Sequence, residues 1–162
     1  MDFMRIGPEG SEEMSEYLHP IWHEVFDELM PPEEAEYIFS TWTNPDAIRS
    51  SIEHGYEYGY LEREGKRMGM YSFRICPDSR FYINKLYLEQ SYRGRGLGQE
   101  ALADMFSLAR REGCTEAYLN VYYRNERAFR AYMRAGMTDF YHCLEMIGDG
   151  VVRNDYVMRM KL

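Results

Sequence analysis

The chain has 162 residues, 45% of them hydrophobic, and a formal net charge of −8 at pH 7, proportions that suit a single globular domain, residues 1–162, with a full-sized core. No apolar run approaches the roughly 20 residues of a membrane span and no leader with a cleavage site opens the chain, so membrane and secreted classes are set aside and a cytoplasmic protein is expected. Residues 1–60 hold 14 Asp and Glu against Arg5 and Arg49, a net −12, while residues 61–162 are net +4; so acidic a chain argues against nucleic-acid binding, which needs a Lys/Arg face.

In chain order, residues 3–6 suggest a first strand. From Glu9 to about Phe26, the residues Met14, Leu18, Ile21, Trp22 and Phe26, with Tyr17 and Val25, make a helical apolar face, in which Pro20 should kink or split the helix near His19. His19 and His23 are four apart there, but without the acidic residue of an H-E-x-x-H pattern they read as a chance helix pair, and no metal is expected. Pro31-Pro32-Glu33-Glu34 opens a second helix, with proline in the first turn and acid at the positive end of the dipole; Ile38, Phe39 and Trp42 are its expected core side. Asn44-Pro45-Asp46 starts a third, short helix that ends near His54 with Gly55 as its stop.

Residues 56–62 and 67–75 read as a hairpin around Glu64-Gly65, and residues 80–88 as the third strand of a meander. Cys76, Cys114 and Cys143 are odd in number and lack metal-ligand spacing, so they read as buried, reduced thiols.

The third strand runs into Glu89-Gln90-Ser91-Tyr92-Arg93-Gly94-Arg95-Gly96-Leu97-Gly98, a basic turn with glycine at every second position that opens a helix. Glycines here allow φ > 0 and close approach of a ligand, the N–H groups of the helix start point outward, and Arg93 and Arg95 can add charge-assisted hydrogen bonds: together, an anion site suited to phosphate. A plain surface turn is the structural alternative. A Rossmann fingerprint is excluded because Gln99 stands where its third glycine belongs, and no Gly-Lys-Ser/Thr of a Walker loop occurs. After the turn, Leu97, Ala101, Met105, Leu108 and Ala109 keep a helical stripe over residues 97–112, and residues 117–122 form a β-prone run expected to lie parallel to the strand before the turn. Asn125 then opens, and Gly136 closes, a helix on which Asn125, Ala128 or Phe129, and Tyr132 share one face. Glu126 and Arg130 are spaced as a helix pair, so Arg127, Arg130 and Arg134 read as a solvated face. Two final strands, about residues 137–147 and 153–162, flank Gly148-Asp149-Gly150.

Arg93-x-x-Gly96-x-Gly98 resembles the pyrophosphate loop of the GNAT superfamily of acetyl-CoA-dependent N-acetyltransferases, and Asn125-x-x-Ala128-x-x-x-Tyr132 resembles that family's following helix, with every named position filled and in the right order. The resemblance covers residue 55 to the C-terminus, and the helical N-terminal third more loosely. It implies a GNAT-like α/β (α+β) fold with a central mixed, mostly antiparallel sheet in the order β-α-α-β-β-β-α-β-α-β-β, and acetyl-CoA as cosubstrate. It also implies that Leu86, Tyr87 and Leu88 pair with the pantetheine arm as an added strand, that Arg93, Gly94, Arg95, Gly96, Leu97 and Gly98 cradle the pyrophosphate, and that Asn120, Asn125 and Ala128 complete the cofactor site. Tyr132 is then the acid that protonates the leaving thiolate, its plain alternative being an ordinary core aromatic.

The family's usual glutamate is missing from Tyr82-Ile83-Asn84, which leaves Glu57, Glu89, Asp155 or a water relay as the base. The expected reaction is direct transfer of acetyl to a primary amine in a ternary complex. The acceptor is expected to be a cationic small molecule, in keeping with an ending, residues 154–158, that is similar to small-amine and polyamine-type members. The rivals are a catalytically silent acyl-CoA-binding module on the same fold and a protein or peptide N-acetyltransferase. No nucleic acid or membrane partner is expected, and a homodimer is left open.

Overall fold

The structure is a computed structural model that describes residues 1–162. Its elements are β1 (Asp2–Arg5), α1 (Ser11–Phe26), α2 (Pro32–Trp42), α3 (Pro45–Glu53), β2 (Tyr56–Arg63), β3 (Lys66–Ile75), β4 (Arg80–Leu88), α4 (Leu97–Arg111), β5 (Glu116–Tyr122), α5 (Glu126–Arg134), β6 (Asp139–Gly148) and β7 (Val151–Lys161), with single 3-10 turns at Pro8–Gly10 and Gln90–Tyr92. The chain forms two compact units. The first comprises residues 1–73 and 85–95, the second residues 74–84 and 96–162, so β4 contributes to both.

In the first unit the strands follow the order β1-β2-β3-β4, with β1 antiparallel to β2. Residues 68–73 of β3 are buried without a break, the mark of a strand covered on both faces. The β2–β3 hairpin turns at Glu64 and Gly65, both with positive φ (52° and 72°), as the primed turns of two-residue hairpins require. Gly69 of β3 lies hard against β4: a Cβ there would stand 2.2 Å from the Tyr87 carbonyl oxygen, so no larger residue fits without moving the end of β4.

Met14, Leu18, Ile21, Trp22 and Phe26 of α1 are buried, as their spacing predicts. Pro20 does not split this helix. Residues 16 and 20 both face solvent, so the carbonyl that lacks its i+4 donor lies on the side open to water, and the helix continues through Pro20. The Trp22 indole donates to the Ala35 carbonyl at 3.0 Å, fixing α1 on α2. Trp42, expected in the core, is exposed; Ala35 and Phe39, one turn apart, are the buried stripe of α2, and Trp42 is its last residue. Three helices precede β2, as the residue pattern predicts and one more than the expected order β-α-α-β counts; Asn44 caps the third by accepting from the Ala47 N–H at 2.9 Å.

In the second unit the order is β4-β5-β7-β6. The β4–β5 ladder is parallel and runs from Arg80↔Glu116 to Ile83↔Leu119, and β4 continues to Leu88. This is the strand–helix–strand crossover expected from the pattern, with Leu97, Ala101, Leu102, Met105, Phe106 and Ala109 of α4 buried. β5 alternates strictly, with Ala117, Leu119 and Val121 inward. β7 pairs antiparallel with both β5 and β6. The three thiols are free; only Cys114 is fully buried, Cys76 and Cys143 being half-buried. No helix is long and apolar enough to cross a membrane.

Candidate active site

The glycine turn adopts the conformation its composition calls for at two of its three glycines. Gly94 has φ 75° and Gly96 φ 79°, left-handed values that cost an L-residue about 1–2 kcal/mol. Gly98 does not: it is the second residue of α4 and is absent from the left-handed set, so the steric argument at that position concerns the missing Cβ alone. Gly96 is the N-cap of α4 and makes no side-chain cap. The first-turn amides are thereby left to water or to an anion, at the positive end of a 15-residue helix. A Cβ at Gly94 or Gly96 would meet nothing within 4 Å, so the space over the turn is open. Leu97 anchors the turn, its side chain buried.

The two arginines behave differently from each other. Arg93, expected to reach the anion, turns to protein partners: its Nε donates to the Leu88 carbonyl at 2.8 Å and a terminal nitrogen donates to Glu24 at 3.0 Å. Its side chain is only 16% exposed, so it braces the end of β4 against α1, and Glu24 is the partner the sequence did not disclose. Arg95 is exposed, its guanidinium 6.0 Å from the Tyr92 ring centre, and it is the arginine free to meet an anion. Tyr87 packs edge-on to Trp22 and Phe26, with ring centres 6.2 and 6.5 Å apart; alternation along the strand puts Leu86 and Leu88 on the opposite face.

On α5 the Asn125 side chain accepts from the Ala128 N–H at 3.2 Å. It is therefore an N-cap first, with its amide NH2 left to donate outward. Phe129 makes edge contacts with Phe140 and Tyr156, at 5.1 and 5.2 Å, which seat α5 on β6 and β7. Tyr132, one turn on, is half-buried, and desolvation by the surrounding protein pushes its phenol up to about 12. It holds its proton at neutral pH. The Arg130–Glu126 pair forms at 2.7 Å, so that side of α5 is the solvated face its spacing predicts.

One contact links the glycine turn to the phenol. The Gln99 side chain, in the first turn of α4, donates to the Ala131 carbonyl at 2.8 Å, next to Tyr132. From sequence Gln99 was visible only as a departure from a nucleotide-binding fingerprint; no periodicity announces a side chain that reaches another helix's backbone.

Asn120 donates to the Asp155 carboxylate at 3.3 Å. Asp155 is buried, and desolvation holds its carboxyl above the usual carboxylate range despite Arg153 at 3.4 Å. The two other candidate bases accept from phenols, Glu57 from Tyr71 at 2.9 Å and Glu89 from Tyr17 at 2.7 Å. Glu89 and Glu24 both line an open hollow of about 470 Å³ with Tyr17, Pro20 and Ile21.

The site thus joins an uncapped helix start, with left-handed Gly96 as its N-cap, through Gln99 to the helix that carries the protonated Tyr132 phenol. The chain belongs to the acetyltransferase (GNAT) family: the model of that family matches residues 12–137. It is similar to the uncharacterized N-acetyltransferase YdgE of Bacillus subtilis, 29% identical over 113 residues that cover 59% of this chain and 71% of that one. A thialysine N-epsilon-acetyltransferase of Bos taurus is 26% identical over 86 residues, 50% of this chain and 51% of that one. In fold it is similar to the PaiA N-acetyltransferase of Thermoplasma acidophilum, solved in complex with coenzyme A, with a TM-score of 0.78 at 17% identity over 99% of this chain and 98% of the other.

Proposed function

We propose that the protein, as one catalytic domain working in the cytosol, transfers acetyl from acetyl-CoA to a primary amine of a small cationic acceptor, by direct attack in a ternary complex. The observation that carries this reading is the uncapped Gly96 helix start tied through Gln99 to the helix of Tyr132. In this scheme the first-turn amides of α4 hold the pyrophosphate and the Asn125 amide meets the pantetheine arm; the family resemblance also assigns Arg95 to the pyrophosphate and the backbone of residues 86–88 to the arm. Acetyl-CoA supplies the activated acyl group. The acceptor nitrogen forms the new C–N bond as the C–S bond breaks; Tyr132 gives its proton to the departing sulfur, and the ammonium proton passes to a carboxylate or to water. A phenol raised by burial suits this role, since it stays protonated until a thiolate develops beside it.

The cationic acceptor is supported by the −12 balance of residues 1–60 and by the two carboxylates, Glu24 and Glu89, on the hollow beside α1. It also fits a relative named for an ε-amine acceptor. The test is release of CoA thiol from acetyl-CoA over a panel of monoamines, polyamines, aminoglycosides and peptides. Turnover confined to polyamines and other cationic small amines is expected; turnover of peptides alone would replace this acceptor with a polypeptide.

A further inference from the structure

Two histidines that the sequence leaves without an acidic partner acquire one in the fold. His19 and His23 lie one turn apart on α1, and Glu36 reaches them from α2. The Nε2 atoms of both rings converge on the same oxygen, Glu36 Oε2, at 2.8 Å from His19 and 2.6 Å from His23. The three ligand-type atoms lie within 4.8 Å of one another. On its far side the His23 ring meets the Asp27 carboxylate through Nδ1, at 2.6 Å.

We propose that His19, His23 and Glu36 form a binding site for a zinc-class divalent ion that clamps α1 to α2, with Asp27 orienting His23. Nothing in acetyl transfer calls for this ion, so the site is an addition to the enzyme rather than a part of its chemistry. Helical i,i+4 histidines present both Nε2 atoms to one ion, and two imidazoles with a carboxylate select zinc and its neighbours over magnesium or calcium. A carboxylate on the second nitrogen of a ligating histidine fixes its tautomer and strengthens the bond to the metal. In a tetrahedral site, bonds of about 2.0–2.1 Å put ligand atoms roughly 3.3–3.4 Å apart, so Glu36 would draw back by roughly 0.5–0.8 Å while the two imidazole nitrogens, within 4.8 Å of each other, settle to the same spacing. Its side chain is 49% exposed and His19 47%, which permits that movement and leaves a coordination position open to water.

The surroundings are already held in place. The His19 ring packs edge-on to Phe39 at 4.8 Å and to His23 at 4.7 Å. The Trp22–Ala35 hydrogen bond fixes the residues adjacent to His23 and Glu36. A pair of histidines meeting a glutamate by accident would not need both rings aimed at one oxygen and a second carboxylate behind one of them.

The experiment uses the full chain without a histidine tag, stripped with chelator and titrated with zinc chloride by calorimetry, then with Co2+ under visible spectroscopy. One zinc per chain is expected, with a zinc-dependent rise in melting temperature. His19→Ala, His23→Ala and Glu36→Gln should each abolish that rise, and Asp27→Asn should weaken binding by about 10–100-fold. Cobalt should give tetrahedral bands with no thiolate charge transfer. Binding that survives His23→Ala, a thiolate band reporting Cys76 or Cys143, or no stoichiometric zinc at all would each overturn the site. Because acetyl transfer is assayed separately, loss of the metal site leaves the reading of the enzyme untouched.

Discussion

Single side chains carry the sharpest tests. Tyr132→Phe keeps the ring and removes the proton donor, so kcat should fall roughly 100-fold or more while acetyl-CoA affinity stays within a factor of about two; equal kcat in the two enzymes would pass the acid role to another group. Gly98→Val places a branched Cβ over the first turn of α4 with no left-handed strain to unfold the chain, and calorimetry should show acetyl-CoA affinity reduced by at least tenfold in a folded protein. Asp155 makes a different kind of prediction. Its carboxyl is raised in the folded protein by burial, so the fold binds that proton more tightly than the unfolded chain does, and stability falls as pH rises from the unfolded carboxylate range through the folded value. Asp155→Asn should therefore melt higher than the parent at pH 7, with the gap closing as pH is lowered towards 4. Were Asp155 also to take the acceptor's proton, the same variant would lose the acidic limb of its kcat/KM profile, because a base must be deprotonated to act.

At the scale of elements, the contact between α4 and α5 governs how the phosphate grip and the acid keep their relation. Gln99→Leu removes the donor to the Ala131 carbonyl, which retains its helical partner Ala135, so the fold survives the loss of one hydrogen bond worth about 1 kcal/mol. A helix free to drift by a fraction of an ångström should lower kcat by roughly tenfold with acetyl-CoA KM little changed; an unchanged kcat would show that α5 is held by the Phe129 cluster alone. The same elements show what a sequence discloses. The α4 stripe, the Asn44 and Asn125 caps and the Glu64-Gly65 turn were legible because each depends on local spacing or a local dihedral. Trp42, Arg93 and Glu36 were not, because their surroundings are set by residues at a distance in sequence: Phe39 and Ala35 took the core face from Trp42, Glu24 drew Arg93 away from the turn, and Glu36 comes to His19 and His23 from another helix. Pro20 misled for a related reason, since its cost depends on whether water reaches the orphaned carbonyl.

Across the whole molecule the acidic charge is concentrated in the first 60 residues, where all three N-terminal helices lie. A field of one sign raises the encounter rate of oppositely charged substrates and is screened within about 8–10 Å at physiological salt. The value of kcat/KM for a polyamine should therefore drop severalfold between low and physiological ionic strength, whereas a monoamine of uncharged body should change little; parallel salt curves would make the acidity a matter of solubility only.

The sharing of β4 between the two units has a consequence for synthesis. The chain leaves the first unit after Phe73, returns to it at Lys85 and leaves finally at Arg95, whereas the second unit is not complete until the last strand. A ribosome thus releases every residue of the first unit before α4 exists. During that interval the basic glycine turn stands half-made at the end of a nascent chain. The second unit has no such head start: its first residues, 74–84, emerge early and wait, through some seventy further residues, for the strands that complete their sheet.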